Sequence, residues 1–149
     1  MTTFFCVPAL DFTGKESQFT IATGPVVVNH AHDQILLHKW ESTWKWQFIG
    51  GRYDDSKTFR ENALEKAYEV VWDNTITLTD TEHPVIMLDT IDLRGYEEKT
   101  LLVHYKATIA DEENIWECQW FSLDAIRMLD AKNETSSENV KMVSEQFLK

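Results

Sequence analysis

The residues best suited to chemistry lie between positions 51 and 73. Glu65 and Glu69 stand four apart, so on a helix they share one face, one turn apart, where two carboxylates can converge on a cation. Arg52, Lys57, Arg60 and Lys66 are interleaved with them, and such side chains can meet phosphate oxygens directly. Asp54 and Asp55 lie in the preceding segment and can approach the same point. Farther along, Glu117 is bracketed by Trp116 and Trp120, an environment expected to desolvate a carboxylate and suit it to proton transfer. Trp40, Trp44 and Trp46 form a dense aromatic group. Aromatic faces stack on nucleobases, although large strand aromatics serve cores more often. Trp44 and Trp46, two apart, share a strand face and can form one wall of a cleft. His30-x-His32-Asp33 carries metal-ligand residue types with no third ligand nearby, so a solvated loop is the expected reading. His38, His83 and His104 stand singly beside strands as packed or surface residues. The sequence has no Ser-His-Asp triad, P-loop or dinucleotide fingerprint.

Positioning these residues requires a strand, a loop and a helix. Thr58 to Trp72 is the clearest helix. Thr58 with Glu61 makes a capping box, and Phe59, Ala63, Leu64, Ala67, Val70 and Val71 recur as one apolar stripe. Asp73-Asn74 ends it. Upstream, Trp44 to Phe48 alternates with period two and stops at Gly50-Gly51, a backbone breaker or a place of close approach. Val26–Val28 and Ile35–His38 read as a hairpin around a polar loop. Strands are expected over Pro84–Leu93, Lys99–Ile109 and Trp116–Phe121. Ser122 is placed to cap a short helix over Leu123–Leu129, and Glu138–Leu148 reads as a closing helix with Val140, Val143 and Phe147 inward. Residues 1–23 read as an arm or edge strand, and residues 136–149 as the segment of the closing helix. The layout is α+β, a mixed sheet flanked by few helices.

The 149 residues suit one domain with a real core, at 43% hydrophobic and 26% charged. A formal charge of −11 repels a phosphate backbone, which excludes nucleic acid as a polymeric partner. Small phosphorylated ligands stay open, because a local pocket or a bound cation overrides global charge. The longest apolar runs fall far short of the ~18 residues of a membrane span, so no membrane partner is expected. Met1–Cys6 lacks a basic segment before its apolar patch. Cys6 and Cys118, without C-x-x-C spacing, suggest buried thiols in a reducing compartment. The expectation is a cytoplasmic protein. A homodimer through the sheet or the N-terminal arm is compatible with the sequence.

Strand, Gly-Gly, loop and capped helix together resemble the Nudix family, whose signature is G-x5-E-x7-R-E-U-x-E-E-x-G-U, with U a bulky aliphatic. Trp46-Gln47-Phe48-Ile49-Gly50-Gly51 is similar to the aromatic strand entering that box. Trp116-Glu117-Cys118-Gln119-Trp120-Phe121-Ser122-Leu123-Asp124 is similar to the family's E-x-x-W-F-x-L-x-E/D stretch. The resemblance spans about Gly24 to Leu129 and implies an α/β/α sandwich around a mixed sheet. It implies hydrolysis of phosphoric anhydride bonds in nucleoside diphosphate-linked substrates, with Mg²⁺ or Mn²⁺ offsetting the diphosphate charge. It also implies a catalytic or substrate-contacting role for Glu117.

The box itself departs from the signature. Gly51 matches its opening glycine and Glu69 the first of its paired glutamates. The remaining positions read Lys57 for glutamate, Glu65 for arginine, Lys66 for glutamate, Val70 for glutamate, Trp72 for glycine and Asp73 for the aliphatic residue. An ammonium ~4 Å from an ion site costs a few kcal/mol even at an effective dielectric near 20, so a two-ion cluster is not expected. Glu65 and Glu69 with the Gly51 carbonyl can at most hold a single ion weakly. Lys57 and Glu65 reverse the family's charges yet keep opposite signs, so they are expected to pair and hold the loop on the helix. Two readings follow. One is a family member with absent or much reduced activity, with Glu69 and Glu117 as remaining catalytic candidates and Arg52, Lys57, Lys66, Trp44 and Trp46 as substrate contacts. The other is a non-catalytic nucleotide-binding, phosphate-binding or regulatory domain. An interaction module without a small ligand is a further alternative.

Overall fold

Val26, Val27 and Val28 are all fully buried, which requires cover on both faces of the strand that carries them. The computed structural model, which describes residues 19–41, 43–71, 74–93 and 96–148, supplies that cover with helices on either side. The strands are β1 (Phe19–Val27), β2 (Gln34–Trp40), β3 (Lys45–Gln47), β4 (Gly51–Arg52), β5 (Ile76–Leu78), β6 (Val85–Leu93), β7 (Tyr96–Ile109) and β8 (Cys118–Ser122). The helices are α1 (Phe59–Val71), α2 (Leu123–Ala131) and α3 (Asn139–Phe147). One mixed sheet has the order β4-β1-β7-β5, with β6 also on β7; the other is β3-β2-β8. β1 runs parallel to β7 from Phe19↔Lys99 to Val27↔Ala107 and antiparallel to β4.

Two cores lie on opposite faces of these sheets. Val26, Val28, Ile35, Leu37, Leu102 and Phe121 pack with Ile126 of α2 and Val140 and Val143 of α3. Val27, Leu36, Ala107 and Ile109 pack with Ala67 and Val71 of α1. The result is the expected α/β/α sandwich. No helix among the described residues is long and apolar enough to cross a membrane.

Local signals place the helices. The Thr58 hydroxyl accepts from the Glu61 amide and donates to the Glu61 carboxylate, while Ser122 Oγ accepts from Ala125 N–H at the start of α2. Val140 and Val143 are buried in α3, with Phe147 half-buried beside them.

Several expectations change. Val26–Val28 and Ile35–His38 form a corner instead of a hairpin: one bridge joins Val28 to Ile35, and the strands then enter different sheets. Asn29 holds that corner, its Oδ1 accepting from the amides of Asp33 and Gln34. Residues 19–23 belong to β1, paired with β7 throughout and with β4 at Ala22 and Thr23, so the strand is covered on both edges there; residues 1–18 lie outside the described residues. Trp116 and Glu117 precede β8, with Trp116 at φ 52°. β4 and β5, two and three residues long, carry too little periodicity to be anticipated. Trp72 and Asp73 lie outside the described residues, and α1 ends at Val71.

Gly24 and Gly50 meet backbone to backbone. A Cβ on Gly24 would stand 2.0 Å from the Ile49 carbonyl oxygen and 2.8 Å from Gly50 Cα. Because the obstacle is main chain, no rotamer relieves it. Gly24→Ala is therefore expected to lower the unfolding free energy by about 3 kcal/mol or more in urea denaturation.

His104 on β7 is buried edge-on to Phe48, ring centroids 5.0 Å apart. Burial pulls its imidazole down to about 4, only partly opposed by a backbone contact with Gly24. The unfolded chain takes the proton near 6.5, so stability declines as pH falls from 6.5 toward 4, by up to roughly 3 kcal/mol. His104→Leu is expected to flatten this part of the stability–pH profile relative to the wild type.

Candidate functional site

The segment between β4 and α1 is knit by its own polar groups. Tyr53 N–H donates to Ile21 O of β1, its hydroxyl donates to Lys57 O, and its ring stacks on Phe59 at 4.4 Å. The Ser56 amide and hydroxyl both donate to Asp54 Oδ1. Those bonds first, then the fields of Lys57 and Lys66, hold the Asp54 carboxyl below its usual range. Asn62, fully buried on α1, accepts the Asp54 amide with Oδ1, while its Nδ2 has no hydrogen-bond partner. Sequence reasoning missed Asn62; its one signal was a polar residue beside the apolar stripe.

Two ion pairs occupy the box. Lys57 and Glu65 contact directly, both part-exposed, as their opposite charges led one to expect. Lys66 Nζ lies 3.7 Å from Glu69 Oε1. The Lys66 stem lies over Gly51: a Cβ there would be 3.1 Å from its Cε and 3.5 Å from its Nζ. Gly51 is itself anchored opposite Thr23 on β1. Val70 is half-buried and packs against the cluster that holds Ala67 and Val71, a hydrocarbon contact and not a polar one. Arg52 is exposed on β4 and Asp55 is exposed in the loop.

The structure thus gathers Gly51, Lys57, Glu65, Lys66 and Glu69, with Asp54 at their edge. These donors do not fit a divalent cluster. Glu65 is engaged by one ammonium and Glu69 faces another, so a divalent ion shared by these carboxylates would have to sit close to a lysine ammonium. That repulsion is roughly 4 kcal/mol per unit charge at 4 Å and an effective dielectric near 20. Among the described residues, no group of three His, Cys, Asp or Glu side chains is arranged to hold a metal ion.

The other candidates lie apart in the fold. Glu117 is exposed in the turn before β8, so the desolvation expected from its tryptophans is missing. Its charge acts on His38 and Cys118. Burial nonetheless lowers His38, against the pull of Glu117 and Glu41, and burial chiefly pushes the Cys118 thiol up to about 12. Trp44 and Trp46 do not share a strand face. Trp44 sits in the preceding turn at φ 57° and is 71% exposed, whereas Trp46 lies in β3, edge-on to Phe121. Lys39 Nζ stands between them, 6.0 and 5.6 Å from the two ring centroids. In the loop after β1, His30 pairs with Glu112, and His32 and Asp33 are exposed.

Solved structures with this architecture include Nudix-type proteins. The C. elegans Ap4A hydrolase superposes with a TM-score of 0.63 at 14% identity, covering 87% of this chain and 96% of that one. A NUDIX hydrolase from Nitrosomonas europaea gives 0.62 at 13% identity, covering 85% and 86%. A MutT protein from Methanosarcina mazei gives 0.55 at 18%, covering 87% and 92%. No family model matches the sequence, and no curated protein matches it. The chain has the Nudix hydrolase fold.

Because both partners of Lys57–Glu65 are part-exposed, the pair is expected to contribute about 0.5–1 kcal/mol. A double-mutant cycle with Lys57→Met and Glu65→Gln measures it. Most of that coupling is expected to vanish in 1 M salt.

Proposed function

We propose that this chain is a single-domain member of the Nudix family that has lost most or all metal-dependent hydrolysis of phosphoric anhydrides, and that its box serves to bind a small nucleotide-like or phosphorylated ligand. One observation carries the reading: the Lys66 ammonium lies over Gly51 and faces Glu69, where the family's chemistry requires acids around cations. Lys57 on Glu65 removes the other helix carboxylate from metal duty. Architectural likeness to the C. elegans Ap4A hydrolase and to MutT proteins supports a nucleotide-like ligand. A cytoplasmic setting agrees with Cys118, a free thiol buried in the core.

Glu69 and Glu117 remain the residues through which any residual turnover would run. Glu69 is the better placed, being on α1 beside Gly51 and Lys66. In Mg²⁺ or Mn²⁺, with nucleoside triphosphates, nucleoside diphosphate sugars and dinucleoside polyphosphates, phosphate release is expected at least about a thousandfold below that of an active Nudix hydrolase. That ratio corresponds to roughly 4 kcal/mol of transition-state stabilisation. Glu69→Gln is expected to abolish whatever trace remains. Robust metal-dependent turnover abolished by Glu69→Gln would overturn the proposal.

A further inference from the structure

Lys57 and Lys66 differ in how their charges are met. Lys57 touches the Glu65 carboxylate directly. Lys66 Nζ stands 3.7 Å from Glu69 Oε1, beyond hydrogen-bond reach, and among the described residues no hydrogen bond ends on it. Only 21% of the Lys66 side chain is exposed, against 57% for Glu69. An ammonium has three donors and no acceptor, so here a largely covered cation is met by carboxylates only at long range. The Gly51 surface beneath its stem keeps it in place. Asp54, whose field also reaches it, already spends Oδ1 on the amide and hydroxyl of Ser56.

We infer that Lys66 is the anion-binding centre of this protein: it receives a non-bridging oxygen of a phosphate or diphosphate group without any divalent ion, and Glu69 is the placeholder that the ligand displaces. The inference rests on the reading that metal does not occupy the box, and it assigns the group recognised there. A diphosphate brings more charge and more acceptor oxygens than one carboxylate, so its charge-assisted bonds to the ammonium are stronger. Displacement costs little, because Glu69 is mostly solvated and its pair belongs to the weak, exposed class.

Calorimetric titration of the full chain with inorganic pyrophosphate in EDTA tests this. Wild type is expected to bind. Glu69→Gln is expected to tighten binding roughly threefold to fivefold, by removing the competing anion. Lys66→Met is expected to weaken it about tenfold or more. Lys141→Met, which removes a cation paired with Asp130 and Glu138 far from the box, is expected to bind as wild type. Thermal midpoints establish that each variant is folded, and exposed Glu69→Gln keeps the test decisive if Lys66→Met is not. No binding by wild type in EDTA, or an affinity that Glu69→Gln leaves unchanged or weakens, overturns the inference. Metal-dependent turnover in the assay described above would instead overturn the loss of hydrolysis, whatever pyrophosphate does in EDTA.

Discussion

The constraint from which the site follows is the backbone contact between Gly24 of β1 and the Ile49-Gly50 segment. β1 is walled by valines that need cover on both faces, and the chain leaving β3 must pass close to it before starting β4. With hydrogen in place of a side chain at both glycines, the two main chains approach to a distance that any Cβ would forbid. That approach lets Gly51 pair with Thr23 and sets the segment leading to α1. The Lys66 stem then has a flat surface to lie on. Packing, sheet register and the electrostatics of the box are therefore consequences of one steric permission.

Charge in the box is balanced internally. Each lysine faces a glutamate, one pair tight and one loose. Tethered ammonium groups and mobile divalent ions solve the same electrostatic problem in different ways. A divalent ion concentrates charge and polarises an attacking water or a leaving oxygen. An ammonium supplies one charge and three donors, enough to recognise an anion but not to act as a Lewis acid. Val70, half-buried against the edge of the core, gives packing to α1 at a position where the family signature has an acid.

Buried polar residues position the loops around these elements. Asn74 donates from Nδ2 to the carbonyls of Asp111 and Asn114 and accepts the Asp111 amide, closing the segment that leads to β8. Asn62 does similar work for the loop before α1. Such side chains satisfy main-chain groups that no sheet or helix reaches, and they fix loop geometry more firmly than exposed ion pairs can.

Much of this was legible in the amino-acid order, because it depends on neighbours in sequence. The capping box at Thr58, the apolar stripe of α1, the Ser122 cap and the inward valines of α3 follow from helical spacing alone. The opposite signs of Lys57 and Glu65, eight residues apart, foretold their pairing. Tertiary structure alone decided other features. The entry of β1 and β2 into different sheets and the seating of Lys66 on Gly51 depend on contacts between segments distant in sequence, while the Asn29 corner and the turn at Trp44 are local but carry no periodic signal. Local periodicity determines which face of an element is apolar. Which elements meet, and whether a charge finds solvent, a partner or a backbone at that meeting, is decided by how the two buried faces of the sheets are covered.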